Sequence, residues 1–227
     1  MMDLPLLPLV ALGAFLGIDV VSFPQAMISR PIVAATLGGA VVGDVVSGLF
    51  AGAVLEMMAM ETLPVGASRY PEWGTASVVG GALAAVPGAD RSGALVLAVF
   101  AAIATGWAGG WSMYLLRRVN GVWARRALPA LESGAPRTVI GLQARGLAAD
   151  IVRAALVTLF ALLVWLPVTT WLLPHWSLGA TASRAVLVAV AGAVAGSAAW
   201  RLASGVGGAP WYFLAGIAAA LATVVLP

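Results

Sequence analysis

The chain has 227 residues, 62% of them hydrophobic and 9% charged, with a mean hydropathy of +1.01 and a formal net charge of +3. A water-soluble domain carries about a quarter charged residues, so a cytosolic globular protein is excluded: there is too little polar surface to cover so apolar an interior. Cysteine is absent and His175 is the one histidine, which excludes disulfides, thiolate chemistry and a multi-histidine metal centre.

Apolar stretches run over 4–23, 31–60, 74–87, 93–116, 150–173, 183–200 and 210–227. A bilayer-spanning helix needs about 20 apolar residues, so the expected fold is all-α, a polytopic membrane helix bundle. The first stretch reads as retained rather than cleaved. Its start is acidic (Asp3), no basic region precedes it, and Asp19 and Pro24 stand where a cleavage site would lie. Then comes Ser22-Phe-Pro-Gln-Ala-Met-Ile-Ser-Arg-Pro31, with Gln25, Ser29 and Arg30 between apolar runs. Pro24 and Pro31 remove backbone donors and so free carbonyls. The segment is either a binder of hydroxyl groups or a turn at the membrane surface.

The stretch 31–60 is too long for one helix, and Gly43–Asp44 breaks it in the middle; 74–87 is short and ends at Pro87–Gly88. Such pieces fit broken or re-entrant helices, which are tolerated where irregular backbone lines a cavity or is buried in protein, or else a kinked helix in a packed bundle. At the break, Asp44 suits the N-cap of the following helix.

Six of the nine acids (Asp3, Asp19, Asp44, Glu56, Glu61 and Glu72) lie in the first 72 residues, which places any polar site in the N-terminal third. Gly48, Gly52 and Glu56 are spaced four apart and share nearly one helix face. Glycines at that spacing admit a neighbouring backbone, so Glu56 is expected in a helix interface. There it accepts hydrogen bonds from sugar hydroxyls, pairs with an arginine, or stays protonated. Glu61 projects from another face and marks a helix end. In the loop Pro64-Val-Gly-Ala-Ser-Arg-Tyr-Pro-Glu72, Arg69 and Glu72 are placed to pair, and Glu72 lies at membrane depth if the loop re-enters.

Stretches 93–116 and 150–173 read as ordinary spans. Between them, 117–149 holds Arg117, Arg118, Arg125, Arg126, Arg137 and Arg145 against Glu132 alone, which places it on the cytoplasmic side and speaks of membrane orientation rather than nucleic acid. Val119, Val122 and Trp123 recur at helical spacing, with Arg118 and Arg125 opposite, as in a helix lying on the membrane surface. His175, beside Trp171 and Trp176, reads as part of an interfacial aromatic belt. No phosphate loop, nucleophile elbow, zincin pair or dinucleotide fingerprint occurs. Glu56 and Glu61 are out of phase on one helix, so an intramembrane enzyme is disfavoured.

The run from Ser29 to Asp44 is similar to the start of membrane subunit IIC of the mannose/sorbose class of sugar phosphotransferase systems. The next run, Gly48-Leu-Phe-Ala-Gly-Ala-Val-Leu-Glu-Met-Met-Ala-Met60, resembles that family's Gly-x-x-x-Gly-x-x-Leu-Glu pattern. Val65-Gly-Ala and Pro71-Glu72 fall where the family has Ile-Gly-Ala and Pro-Asp. Weaker matches are Leu-Gln-Ala at 142–144 and Pro-Trp-Tyr-Phe-Leu at 210–214. The resemblance implies one IIC-type membrane domain over 1–227, multi-pass in the bacterial inner membrane. Its signature and sugar site lie in 29–72, and 117–149 faces the cytoplasm.

It further implies an oligomeric translocation unit with subunit IID, and a phosphate relay through cytoplasmic IIA and IIB, with no cofactor, metal or phosphorylated residue in IIC itself. By resemblance Glu56 binds the sugar, with Gln25, Ser29, Arg30 and Glu72 as further contacts. The chain departs from mannose-type members before Arg30-Pro31, where they carry polar and aromatic residues including a histidine, and at Pro64, where they have asparagine. The alternative is a non-transporting scaffold or regulatory paralogue with the same fold.

Overall fold

The computed structural model describes residues 4–62, 69–86 and 93–225, except for the side chains of 220–225. Most of the predicted 64–72 loop and the Pro87–Gly88 end of the fourth apolar stretch lie outside the described residues. Among the described residues every regular element is helical: α1 (Leu6–Asp19), α2 (Pro31–Val42), α3 (Val45–Ala59), α4 (Trp73–Ala84), α5 (Ala94–Arg126), α6 (Leu128–Glu132), α7 (Pro136–Leu172), a 3-10 turn (Leu173–His175), α8 (Ala180–Ala203) and α9 (Ala209–Val225).

The 31–60 stretch is a helical hairpin, not a kinked helix. Gly43 takes φ +105° and ends α2; its N–H and that of Asp44 return to the carbonyls of Ala40 and Gly39, the closing pattern of a Schellman motif. Asp44 then caps α3, its Oδ1 accepting the Ser47 N–H at 3.0 Å. The two helices run antiparallel, because contacts move outward from the turn in step: Gly48 lies on Gly39 and Ala35, and Gly52 on Ile32 and Pro31. At 12 and 15 residues they are about 18 and 22 Å long, short of an apolar layer about 30 Å thick.

α4 is the centre of the bundle. Gly74 through Ala84 are all buried, as expected of a helix apolar on every side. Its small residues let three neighbours approach the backbone itself. A Cβ on Gly81 would collide with the Ala35 carbonyl of α2, one on Gly80 would press on Ala102 of α5, and one on Gly74 would strike the Leu16 carbonyl of α1. One apolar cluster joins α1, α2, α4, α5 and α7 through residues including Leu9, Leu16, Val78, Val79, Ala98 and Leu162. A second joins Val54 and Leu55 of α3, Val99 and Ala102 of α5, and Leu187 and Ala191 of α8. α9 rests on α8, with Phe213 against Trp200.

α5, α7 with its 3-10 turn, and α8 are long and apolar enough to cross a membrane. The arginine-rich segment corrects one expectation. Arg117 to Arg126 do not form a separate surface helix; they prolong α5, and Arg137 and Arg145 belong to the start of α7. An amphipathic pattern is the same for a helix lying on a bilayer and for one leaving it, so periodicity alone does not separate the two.

Gly81→Ala is expected to cost about 1–3 kcal/mol through overpacking against α2. Gly141→Ala, where a Cβ meets open space, should be neutral or stabilising by the helix propensity of alanine. Thermal unfolding of the detergent-solubilised proteins compares them; equal melting temperatures for Gly81→Ala and wild type would refute the close approach of α4 to α2.

Candidate functional site

The connection between α1 and α2 is held by a buried carboxylate. Gln25 and Met27 have φ of +61° and +60°, a backbone region that costs non-glycine residues about 1–3 kcal/mol each. Asp19, fully buried at the end of α1, keeps them there. Its Oδ1 accepts the Ala26 N–H at 2.8 Å, and its Oδ2 accepts the Ser29 N–H at 3.0 Å and the Ser29 hydroxyl at 2.8 Å.

This connection forms one wall of a cavity of about 350 Å³, a volume within the range of small-ligand sites. The rest of the lining includes Ala59 and Thr62 at the end of α3, Tyr70, Pro71 and Glu72 ahead of α4, Trp73 at its first position, and Met113 of α5. The aromatic groups are fixed in place. The Trp73 indole N–H donates to the Thr62 hydroxyl at 2.9 Å, and the Tyr70 hydroxyl accepts from Arg117 at 2.7 Å. Arg117 also lies over the Tyr70 ring, 5.4 Å from its centroid. Glu72 is buried and caps α4, accepting the Thr75 N–H at 3.1 Å and the Thr75 hydroxyl.

Four of the residues singled out in the sequence therefore meet: Gln25, Ser29, Arg30 and Glu72 all line this cavity. Ser29 is bound to Asp19 and Glu72 to Thr75, whereas Gln25 is exposed and uses its amide N–H on the Val21 carbonyl at 3.0 Å. Glu56 is not among the lining residues. Its carboxylate pairs with the Arg30 guanidinium and accepts the Ile32 N–H at 3.2 Å, so an α3 acid sits at the start of α2, where a helix dipole favours negative charge. Arg69 does not pair with Glu72; it lies over the rings of Trp111 and Tyr114 at 4.4 and 4.3 Å. Glu61 pairs with Arg201 of α8. His175 is exposed and stands against the Trp171 ring and carbonyl.

Sequence reasoning missed a buried network behind the cavity. Arg153 of α7 donates to Asp150 at 2.7 Å, to the Ser112 hydroxyl at 3.2 Å and to the Gly17 carbonyl at 3.2 Å, and lies 3.9 Å from Glu72. Asp150 also accepts the Ser22 hydroxyl at 2.5 Å. The network ties α1, α5 and α7 to the cap of α4. The available signal was an acid and an arginine three residues apart at the head of an apolar stretch, a spacing that lets side chains meet on a helix.

The model of one protein family, the PTS system sorbose-specific IIC component, matches residues 6–194. The chain belongs to this family. Among curated relatives, this IIC-family chain is 37% identical over 79 residues to the fructose permease IIC component of Bacillus subtilis (strain 168), covering 35% of the chain and 29% of that protein. It is 29% identical over 127 residues to the PTS system sorbose-specific EIIC component of Klebsiella pneumoniae, covering 56% of the chain and 46% of that protein. The matched parts thus span less than half the length of either relative. Two solved structures share the fold. One is described only as a membrane protein, with a TM-score of 0.72; the other is the mannose transporter ManYZ in complex with microcin E492, with a TM-score of 0.61. Each is 20% identical, and each comparison covers 97% of this chain and 87% of the other. With the three long apolar helices, the family establishes a multi-pass membrane protein.

Removing Arg153 strands Asp150 and Glu72 without their counter-charge, so Arg153→Met should destabilise the bundle by about 3–5 kcal/mol. Arg153→Met combined with Asp150→Leu should recover part of that loss, because Asp150 is then no longer left as a buried unpaired charge and Glu72 alone remains. Thermal unfolding of the three proteins gives the comparison; a double variant less stable than Arg153→Met would contradict the pairing.

Proposed function

We propose that the chain is the sugar-translocating IIC subunit of a phosphoenolpyruvate-dependent phosphotransferase system of the mannose/sorbose class, and that the cavity between the α1–α2 connection and the head of α4 binds the sugar. In this reading the subunit sits in the bacterial inner membrane, works in an oligomeric unit with IID, and carries a hexose inward for phosphorylation by IIB, itself charged through IIA. The chain forms one membrane unit, with 29–72 at its site and 117–149 on the cytoplasmic side.

The observation that carries the reading is the make-up of the cavity. Sugars present an apolar C–H face and a rim of hydroxyls. The rings of Trp73 and Tyr70 offer a flat apolar surface, and Gln25, Arg30, Thr62 and the Tyr70 hydroxyl supply donors and acceptors around it. The carboxylates hold this lining in place: Asp19 binds Ser29 and shapes the connection that presents Gln25, Glu72 fixes the start of α4, and Glu56 aims Arg30. The relatives named above carry fructose, sorbose and mannose in their names, which supports a hexose as the substrate class.

Uptake of labelled hexoses and amino sugars is measured in cells that express the chain with its phosphotransferase partners. Wild type should accumulate a phosphorylated sugar. Gln25→Ala, at equal membrane abundance, should raise KM about five-fold, the value of one neutral hydrogen bond. Glu56→Gln, which keeps an acceptor for Ile32 but frees Arg30, should lower uptake about ten-fold, within the range for a charge-assisted contact. No uptake by an assembled wild type would favour the scaffold; uptake indifferent to both substitutions would move the sugar site elsewhere.

A further inference from the structure

A second cavity, sharing no lining residue with the first, is formed where the arginine-rich segment folds back on itself. It measures about 480 Å³ and lies between the end of α5, at Trp123 and Arg126, and the first turns of α7. Arg137, Gly141 and Arg145 recur every four residues and so share one face of α7. The hollow is open at Gly141, where a Cβ would meet nothing within 4 Å. Arg126, Arg137 and Arg145 form no ion pair with an acid among the described residues. The sole acid in 117–149, Glu132, does not line the cavity.

We propose that this cavity binds the phosphate group of an anionic phospholipid. The planar fork of guanidinium matches phosphate oxygens two at a time, and three like charges around one hollow are relieved by an anion seated among them. Depth favours a lipid over a soluble acidic protein. The apolar run of α7 begins at residue 150, five residues or about 8 Å beyond Arg145 along the helix. A headgroup layer is about 5–8 Å thick on each face. Arg145, at the inner end of the cavity, thus stands at the outer edge of that layer, with Gly141 and Arg137 about 6 and 12 Å further out along the helix, so a lipid phosphate enters from the Arg145 end. Arg118 and Arg125 lie on the same segment outside the cavity, so net positive charge and the cavity itself can be separated by experiment.

The purified protein in neutral detergent is incubated with equal amounts of phosphatidylglycerol and phosphatidylcholine and re-isolated, and the retained lipid is quantified by mass spectrometry. Wild type should retain phosphatidylglycerol selectively. Arg137→Ala and Arg145→Ala should each weaken retention about five-fold, the worth of one basic residue near an anionic surface. Gly141→Glu should abolish selectivity while melting as wild type does, since the side chain enters open space. Arg125→Ala should retain at least half of the selectivity. The proposal is overturned by equal retention of the two lipids, by undiminished selectivity in Gly141→Glu, or by equal loss in Arg125→Ala. Displacement by excess inorganic phosphate would assign a free-anion site instead, and capture of poly-glutamate without lipid selectivity would assign an acidic protein surface; either result overturns the lipid.

Discussion

The approach of α4 to its neighbours at backbone distance is the constraint on which the rest of the structure rests. Within a bilayer, helices gain little from leaving lipid for protein, so association depends on close van der Waals contact, and small residues permit it. α4 answers this with Gly74, Gly80 and Gly81, each set against a different helix. The α2–α3 hairpin answers it with Gly39 and Gly48 facing each other. Because α4 is only 12 residues long and buried from Gly74 to Ala84, its first turn ends inside the bundle. Glu72, Trp73 and the cavity they border stand at that end, so the close packing of α4 sets the position of the cavity wall.

The open helix ends then dictate what the acids do. Asp44 caps α3, Glu72 caps α4, Glu56 reaches across to the start of α2, and Asp19 takes up the N–H groups of a connection that no helix satisfies. Each carboxylate answers backbone donors that no helix satisfies, and Asp19 and Glu72 do so fully buried. In the lining of the cavity Gln25, Thr62, Tyr70 and Arg30 stand beside Asp19 and Glu72, whose oxygens already hold these backbone donors. Counting acids along the chain leads to the third of the molecule that lines this cavity, but the donors those acids satisfy are invisible until the helix ends are placed.

What could be read from the sequence was local. Gly43–Asp44 announced the turn because a left-handed glycine followed by a capping acid is decided within a few residues. The four-residue spacing of Gly48, Gly52 and Glu56 told which face meets α2. Pairings across long separations were not legible. Arg30 lies 26 residues from Glu56, and Arg153 lies 136 from Gly17. The nearby Arg69–Glu72 pair, plausible from spacing, is displaced by the rings of Trp111 and Tyr114 and by the open N-terminus of α4. The extension of α5 through Arg126 was hidden because the pattern of 117–126 is amphipathic either way.

The arginines divide by depth in a way that follows from the solvent. Arg153, at the head of the α7 span, holds two acids, a hydroxyl and a carbonyl, and is buried. Arg30 and Arg201 each hold one carboxylate at a helix end, and Arg69 and Arg117 lie over aromatic rings beside the cavity. Arg126, Arg137 and Arg145, where α5 and α7 leave the apolar layer, converge on a hollow without an acid. A charge at depth needs a partner from the chain itself. One in the headgroup layer has water and lipid phosphate at hand. The pairing pattern thus separates the arginines that the chain itself neutralises from the three that converge on the open hollow.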